Sequence, residues 1–144
     1  MYYFLDVDGV LNRESDWKNP FTINQQCLKN FVKLIKKDKD PHIVLSSTWR
    51  VGFTNRGEVG EGNKLTKALG EYGLCIDGCT PVSNKTRQEE IEFYIRRNGI
   101  VKYLVLDDDV SLFPEVERLC VYFTNYKTGI TEQDVKQIAK KYLK

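Results

Sequence analysis

Four apolar residues, Tyr2-Tyr3-Phe4-Leu5, run without a break into Asp6-Val7-Asp8-Gly9. Aromatic and aliphatic residues followed by an abrupt polar stop mark a buried strand and its end. In extended chain, carboxylates at i and i+2 lie on one side. Like charges that close are costly unless a cation lies between them or one is protonated. Gly9 lets the backbone turn, or another group come close, where a side chain would block it. The plainer alternative is a strand leading into a solvated Asp-Gly turn, and it must be weighed against what the other strands do.

Two of them end the same way. His42-Ile43-Val44-Leu45 runs into Ser46-Ser47-Thr48-Trp49-Arg50, and Tyr103-Leu104-Val105-Leu106 runs into Asp107-Asp108-Asp109. Between the first two strands, Ile23, Cys27, Leu28, Phe31, Val32, Leu34 and Ile35 recur at helical spacing, with Thr22, Asn24 and Gln25 as capping groups. A weaker helical segment spans 64–72 and a short strand is expected at 74–76. A further helix is expected over 85–97, capped by Ser83 or Asn84 and closed by Asn98-Gly99. A fifth strand at 119–123 precedes a last amphipathic helix, which opens at Thr131 with Asp134 three residues on. Nearly all-apolar strands alternating with helices predict an α/β fold: a mostly parallel five-stranded sheet with helices on both faces. At 144 residues, without a linker or repeat, one domain over 1–144 is expected.

The net charge of +2 is too mild to demand a nucleic acid or an anionic membrane as partner. Cys27, Cys75, Cys79 and Cys120 lack metal-ligand spacing beside the one histidine, and read as reduced thiols of a cytoplasmic protein. No apolar run is long enough for a membrane span.

In an open parallel sheet the carboxyl ends of the strands share one edge, where ligands bind at the point of strand-order reversal. Asp6, Asp8, Ser46, Ser47 and the 107–109 triplet are therefore expected to meet. Several carboxylates in one place call for a hard cation, and oxygen donors without histidine or cysteine favour magnesium. Metal, free aspartate, hydroxyl and a basic residue together suit phosphoryl transfer. The duller alternatives are that Ser46 terminates its strand, that Lys85 and Arg87 are solvated, and that members of the triplet are turn caps.

FLDVDGVLN, IVLSSTWR, the basic helix start Lys85-Thr86-Arg87-Gln88-Glu89-Glu90-Ile91 and YLVLDDD, in this order, resemble the haloacid dehalogenase (HAD) superfamily. With the closing TGIT helix start they are similar in particular to small HAD domains of RNA-repair proteins. The resemblance implies a three-layer Rossmann-like fold and a magnesium-dependent phosphohydrolase working through an aspartyl-phosphate. Asp6 would be nucleophile and metal ligand; Asp8 would be general acid/base, with its backbone carbonyl on the metal. Ser46 would hold a phosphoryl oxygen. Lys85 or Arg87 would be the basic residue, Arg87 fitting the R-x-x-E-I spacing better. Asp108, then Asp107, would complete the metal set, leaving Asp109 to the loop.

Thirty-seven residues separate Asp8 from Ser46 and about as few separate Ser46 from Lys85, too few for a cap domain. The open site suits a bulky phosphate ester such as a nucleic-acid 3′-phosphate or a nucleotide. Alternatives are a small-metabolite phosphatase capped by dimerisation and a phosphate-binding domain without turnover. Gly9, Ser47, Trp49 and Arg50 are candidate substrate contacts, and Trp49, Phe53, Arg50 and Arg56 in or beside the 50–62 loop could stack on bases and bind phosphates. Packing beneath the loop is the equal alternative for Trp49 and Phe53, and Trp17 is expected to pack.

Overall fold

Strand order decides where the polar strand ends go. The structure, a computed structural model, describes residues 1–50, 63–83 and 85–143. Its strands are β1 (Tyr2–Leu5), β2 (His42–Leu45), β3 (Gly78–Cys79), β4 (Tyr103–Asp107) and β5 (Val121–Phe123), all parallel, in the order β3-β2-β1-β4-β5. The helices are α1 (Gln25–Ile35), α2 (Asn63–Gly70), α3 (Arg87–Asn98) and α4 (Glu132–Tyr142). This is a Rossmann-like α/β sheet, and no cap domain is present among the described residues.

The central strand is β1, and the chain crosses from one side of it to the other before β4, so strand order reverses there. Leu5 is in register with both Leu45 and Leu106. Asp6, Ser46 and Asp107 are therefore the next residues on three adjacent strands, at one level on the carboxyl edge.

Side-chain alternation divides the core in two. On one face Tyr3, Leu5, Ile43, Leu45, Leu104 and Leu106 pack with Leu28, Phe31 and Ile35 of α1, Leu65 and Leu69 of α2, and Val135 and Ile138 of α4. On the other, Phe4, Val44 and Val105 pack with Ile91, Tyr94 and Ile95 of α3. The ends of these helices follow local chemistry. The Asn24 side chain accepts from the amides of Gln26 and Cys27, and Thr131 with Asp134 forms a reciprocal capping box. Gly99 closes α3 in the left-handed region, at φ 60°.

Several boundaries differ from expectation: β5 begins at Val121 and not at 119, and α2 covers 63–70 and not 64–72. The third strand lies at 78–79 and not at 74–76: Leu74 and Ile76 pack against the core without joining the ladder. Asp77 takes that place beside β2, its amide donating to Ile43 O (2.8 Å) and its carboxylate accepting from Ile43 N (2.9 Å). α3 begins at Arg87, capped by Thr86, whose hydroxyl accepts from Glu89 N at 3.1 Å. Ser83 instead turns its side chain toward Glu90.

Candidate active site

The strand ends deliver a carboxylate cluster. Oxygen atoms of Asp6, Asp107 and Asp108 lie within 4.8 Å of one another, with Asp6 and Asp107 buried. Arg87, at the first turn of α3, reaches into it: one guanidinium nitrogen lies 2.9 Å from Asp107 Oδ2 and 3.2 Å from Asp6 Oδ1. A cation at a helix N-terminus opposes the macrodipole, and here the two buried carboxylates offset that cost. Burial pulls the Arg87 guanidinium down, but the charges of Asp6 and Asp107 more than offset this and hold it above its ordinary range. Lys85, the other basic candidate, lies at the surface, 3.8 Å from Glu89.

Three negative charges against one positive leave the cluster short of a cation. Burial, then the charge of Asp107, pushes Asp6 well above the ordinary carboxylate range, against the pull of Arg87. Asp108 is raised to about 6, chiefly by burial, with Asp107 adding to the rise and a hydrogen bond with Asp6 opposing it. Oxygen-only donors in this number fit a hard divalent ion. Asp107 is also built into the fold, since its Oδ1 accepts from the amides of Asp108 and Asp109 at 2.8 and 2.9 Å. Asp109 turns away to cap the following turn, accepting from Ser111 N at 3.0 Å.

Gly9 has φ +84° and passes so close to Asp108 that a Cβ would occupy the space of its carboxylate. The Thr124 hydroxyl donates to Gly9 O at 2.7 Å and fixes the segment from below. Gly9→Ala is therefore expected to displace Asp108 and to destabilise the fold by about 1–3 kcal/mol, as a side chain forced into positive φ does. Chemical denaturation measures this, and an unchanged midpoint would contradict the close approach.

The Asp8 carboxylate is not part of that cluster of oxygens. Its Oδ1 accepts from Asn12 Nδ2 (2.9 Å) and Trp49 Nε1 (3.2 Å). Asn12 is the hub that sequence reasoning missed. Buried to 1% exposure, it also donates to Thr22 O (2.8 Å) and accepts from Gly9 N (3.0 Å) and Trp17 Nε1 (2.8 Å). Its position four residues after Asp8 was the one available signal.

The Ser46 hydroxyl lies level with Asp6, is fully buried, and has no hydrogen-bond partner among the described residues. An unpartnered buried hydroxyl is costly and fits a group that receives a ligand oxygen. The Ser47 hydroxyl accepts from Trp49 N at 3.2 Å and closes the turn after β2.

Of the two alternatives held open for Trp49 and Arg50, substrate contact or packing with the arginine in an ion pair, the arrangement matches the second. Trp49 is 2% exposed, with its indole N–H on Asp8. Arg50 donates to Ser47 O (2.8 Å) and pairs with Glu90 (2.9 Å), both side chains being nearly inaccessible. Glu90 also accepts from Ser83 N at 2.9 Å. Phe53 and Arg56 lie outside the described residues. Trp17, expected to pack, is 41% exposed: its N–H is anchored to Asn12 while its ring stands 6.1 Å from Tyr126 in a stacked pair. The four cysteines are free, and among the described residues no helix is long and apolar enough to cross a membrane.

No curated protein and no solved structure matches the chain. A family model described as the HAD domain in Swiss Army Knife RNA repair proteins matches residues 2–135. That span takes in the Asp6/Asp8 segment, the Ser46 turn, the start of α3 and the 107–109 triplet, and the chain belongs to this family of HAD domains.

Proposed function

We propose that the protein is a magnesium-dependent phosphomonoesterase acting through an aspartyl-phosphate on Asp6. Its open site suits a bulky ester such as a nucleic-acid 3′-phosphate or a nucleotide. The observation that supports this most is Asp6 itself, a buried carboxylate beside an acidic pair, a guanidinium and an unpartnered hydroxyl on the neighbouring strand.

An Asp6 oxygen bonds to phosphorus as the ester P–O bond breaks, and Asp8 gives its proton to the departing alkoxide. Water then attacks the aspartyl-phosphate, its proton passing to Asp8, and inorganic phosphate leaves as the Asp6–phosphorus link breaks. Asn12 and Trp49 both hold Oδ1 of Asp8, so the proton is carried on Oδ2. The Ser46 hydroxyl donates to a phosphoryl oxygen, and Arg87 adds positive charge beside Asp6. Asp6, Asp107 and Asp108, with the Asp8 backbone carbonyl, would hold magnesium, which when bound neutralises charge on the transferring group.

Phosphate release from acetyl phosphate and from a 3′-phosphorylated oligonucleotide, with magnesium and with EDTA, tests the activity. Acid quenching of labelled substrate should leave label on the wild-type chain and none on Asp6→Asn. Release that is indifferent to EDTA, or absent from every phosphate ester tried, overturns the proposal.

Metal binding is also expected to expel protons. With Asp6 and Asp108 both raised above the ordinary carboxylate range, Asp108 to about 6, the metal-free folded protein holds more protons than the unfolded chain from about pH 4 upward through those raised values. Its stability therefore falls as pH rises across that window, and magnesium, binding the deprotonated cluster, reverses the loss. Below about pH 6 the apparent affinity should drop as protons compete. Titration calorimetry at pH 6 in two buffers of different ionisation enthalpy should give different heats; equal heats would mean no proton leaves.

A further inference from the structure

A cavity of about 480 Å³ opens against Asp8 and Asn12, and none of the acidic trio lines it. Trp17, Asn19, Phe21, Thr48 and Trp49 are among the residues that line it. Position gives it a meaning: Asp8 is the residue that protonates the leaving alkoxide, so whatever that oxygen belongs to lies here. The walls are aromatic. Phe21 is 36% exposed and meets the buried Trp49 ring edge-on, with centroids 5.1 Å apart. It holds φ +59°, which a bulky residue adopts only under constraint from its surroundings. Exposed amide and hydroxyl groups at Asn19 and Thr48 supply polar contacts beside the rings.

The surface continues outward in the same style. Trp17 stacks on Tyr126, itself 41% exposed. Lys127 stands 6.0 Å from the Tyr126 ring, and Lys127 and Lys18 line the adjoining hollow with Glu14 and Ser15. Ring faces followed by lysines match a strand of nucleotides, in which stackable bases alternate with phosphates. A phosphotyrosyl peptide would use one aromatic slot and leave the Trp17–Tyr126 pair and the two lysines without a role.

We propose that Trp17, Phe21 and Tyr126, with Lys18 and Lys127, form a leaving-group subsite that takes the terminal bases and next phosphate of a single-stranded nucleic acid. This rests on the phosphomonoesterase reading and adds to it where the non-reacting part of the substrate sits. Trp17 and Phe21 are binding residues here, and neither touches the transferring phosphorus.

The test is a ratio. kcat/KM is measured for a 3′-phosphorylated single-stranded oligonucleotide and for acetyl phosphate, which has no ring. Trp17→Leu and Phe21→Leu are each expected to lower the ratio of the two about tenfold or more, and Trp17→Phe to restore most of it. Loss of the Trp17–Asn12 hydrogen bond, or general loosening, slows both substrates alike and leaves the ratio where it was. A ratio unmoved by both leucine variants overturns the subsite and leaves the hydrolase intact. So does a loss, in the same variants, of phosphotyrosyl-peptide turnover relative to acetyl phosphate while the oligonucleotide ratio stays unmoved. Binding supplies the independent arm: the oligonucleotide should quench tryptophan emission in wild type and much less in Trp17→Phe. Quenching by Trp17 in a protein that hydrolyses neither substrate would sink the hydrolase reading, and the leaving-group role with it, and leave a nucleic-acid-binding surface. No quenching overturns the subsite.

Discussion

Asp6→Asn should release phosphate at least about a thousandfold more slowly than wild type, the scale on which removal of a covalent nucleophile is felt. The substitution is nearly isosteric, so the size of the loss reports chemistry and not collapse. Asp6 sits one residue past β1, its amide donating to Leu106 O at 3.0 Å, and that backbone bond is untouched by the change. What disappears is a negative charge from a crowded site. Asp6 is held well above the ordinary carboxylate range by burial and by Asp107, and relieving that crowding stabilises the metal-free protein. The variant should thus melt a few degrees higher than wild type in EDTA and gain less from magnesium. Activity within tenfold of wild type would show that water, and not Asp6, attacks phosphorus. A lower melting temperature in EDTA would show that the Arg87 pair outweighs the like-charge repulsion.

Arg87→Leu should have the largest effect on the fold. One guanidinium nitrogen serves both Asp6 and Asp107, and all three groups are buried or nearly so. Breaking a buried pair by removing one partner costs about 3–5 kcal/mol, because the remaining charges keep their desolvation penalty. Here two carboxylates are stranded, so the upper end of that range is expected in denaturant unfolding at pH 7.5. Lowering the pH toward 5 should recover part of it by protonating the cluster. Arg87→Lys should retain some of the stability without the fork geometry. Lys85→Ala, at an exposed residue 3.8 Å from its partner, should stay within about 0.5 kcal/mol of wild type. Equal costs at 85 and 87 would mean that the start of α3 is not where the structure puts it.

How far the sequence carries depends on whether a feature is local or is made by packing. Strand-then-carboxylate is local, and three such strands in an alternating pattern are enough to level Asp6, Ser46 and Asp107. Spacing to Glu90 and Ile91 also favoured Arg87 over Lys85. Asn12 was passed over because nothing near it in sequence announces four simultaneous hydrogen bonds; its partners at Thr22, Trp17, Asp8 and Gly9 become visible only once the loop closes. The sequence left Trp49 open between packing and substrate contact and favoured packing for Trp17, for a related reason. Composition says that an indole packs somewhere, but the short turn after β2 drives Trp49 inward, while the longer 13–24 segment leaves the Trp17 ring at the rim. Leu74–Ile76 resembles a strand by hydrophobicity, yet the neighbouring Asp77 carboxylate meets the amide of Ile43 and delays the ladder to Gly78.

The buried Arg50–Glu90 pair has a mechanical implication. Glu90 lies three residues after Arg87, so both are carried on one side of the same rod. Through Glu90 that rod grips Arg50 at the exit of β2, whose neighbour Trp49 holds the Asp8 carboxylate; through Arg87 it grips Asp6. Asp6 and Asp8 are thus gauged from a single rigid bar, and a tilt of α3 would reset the gap between them in one movement.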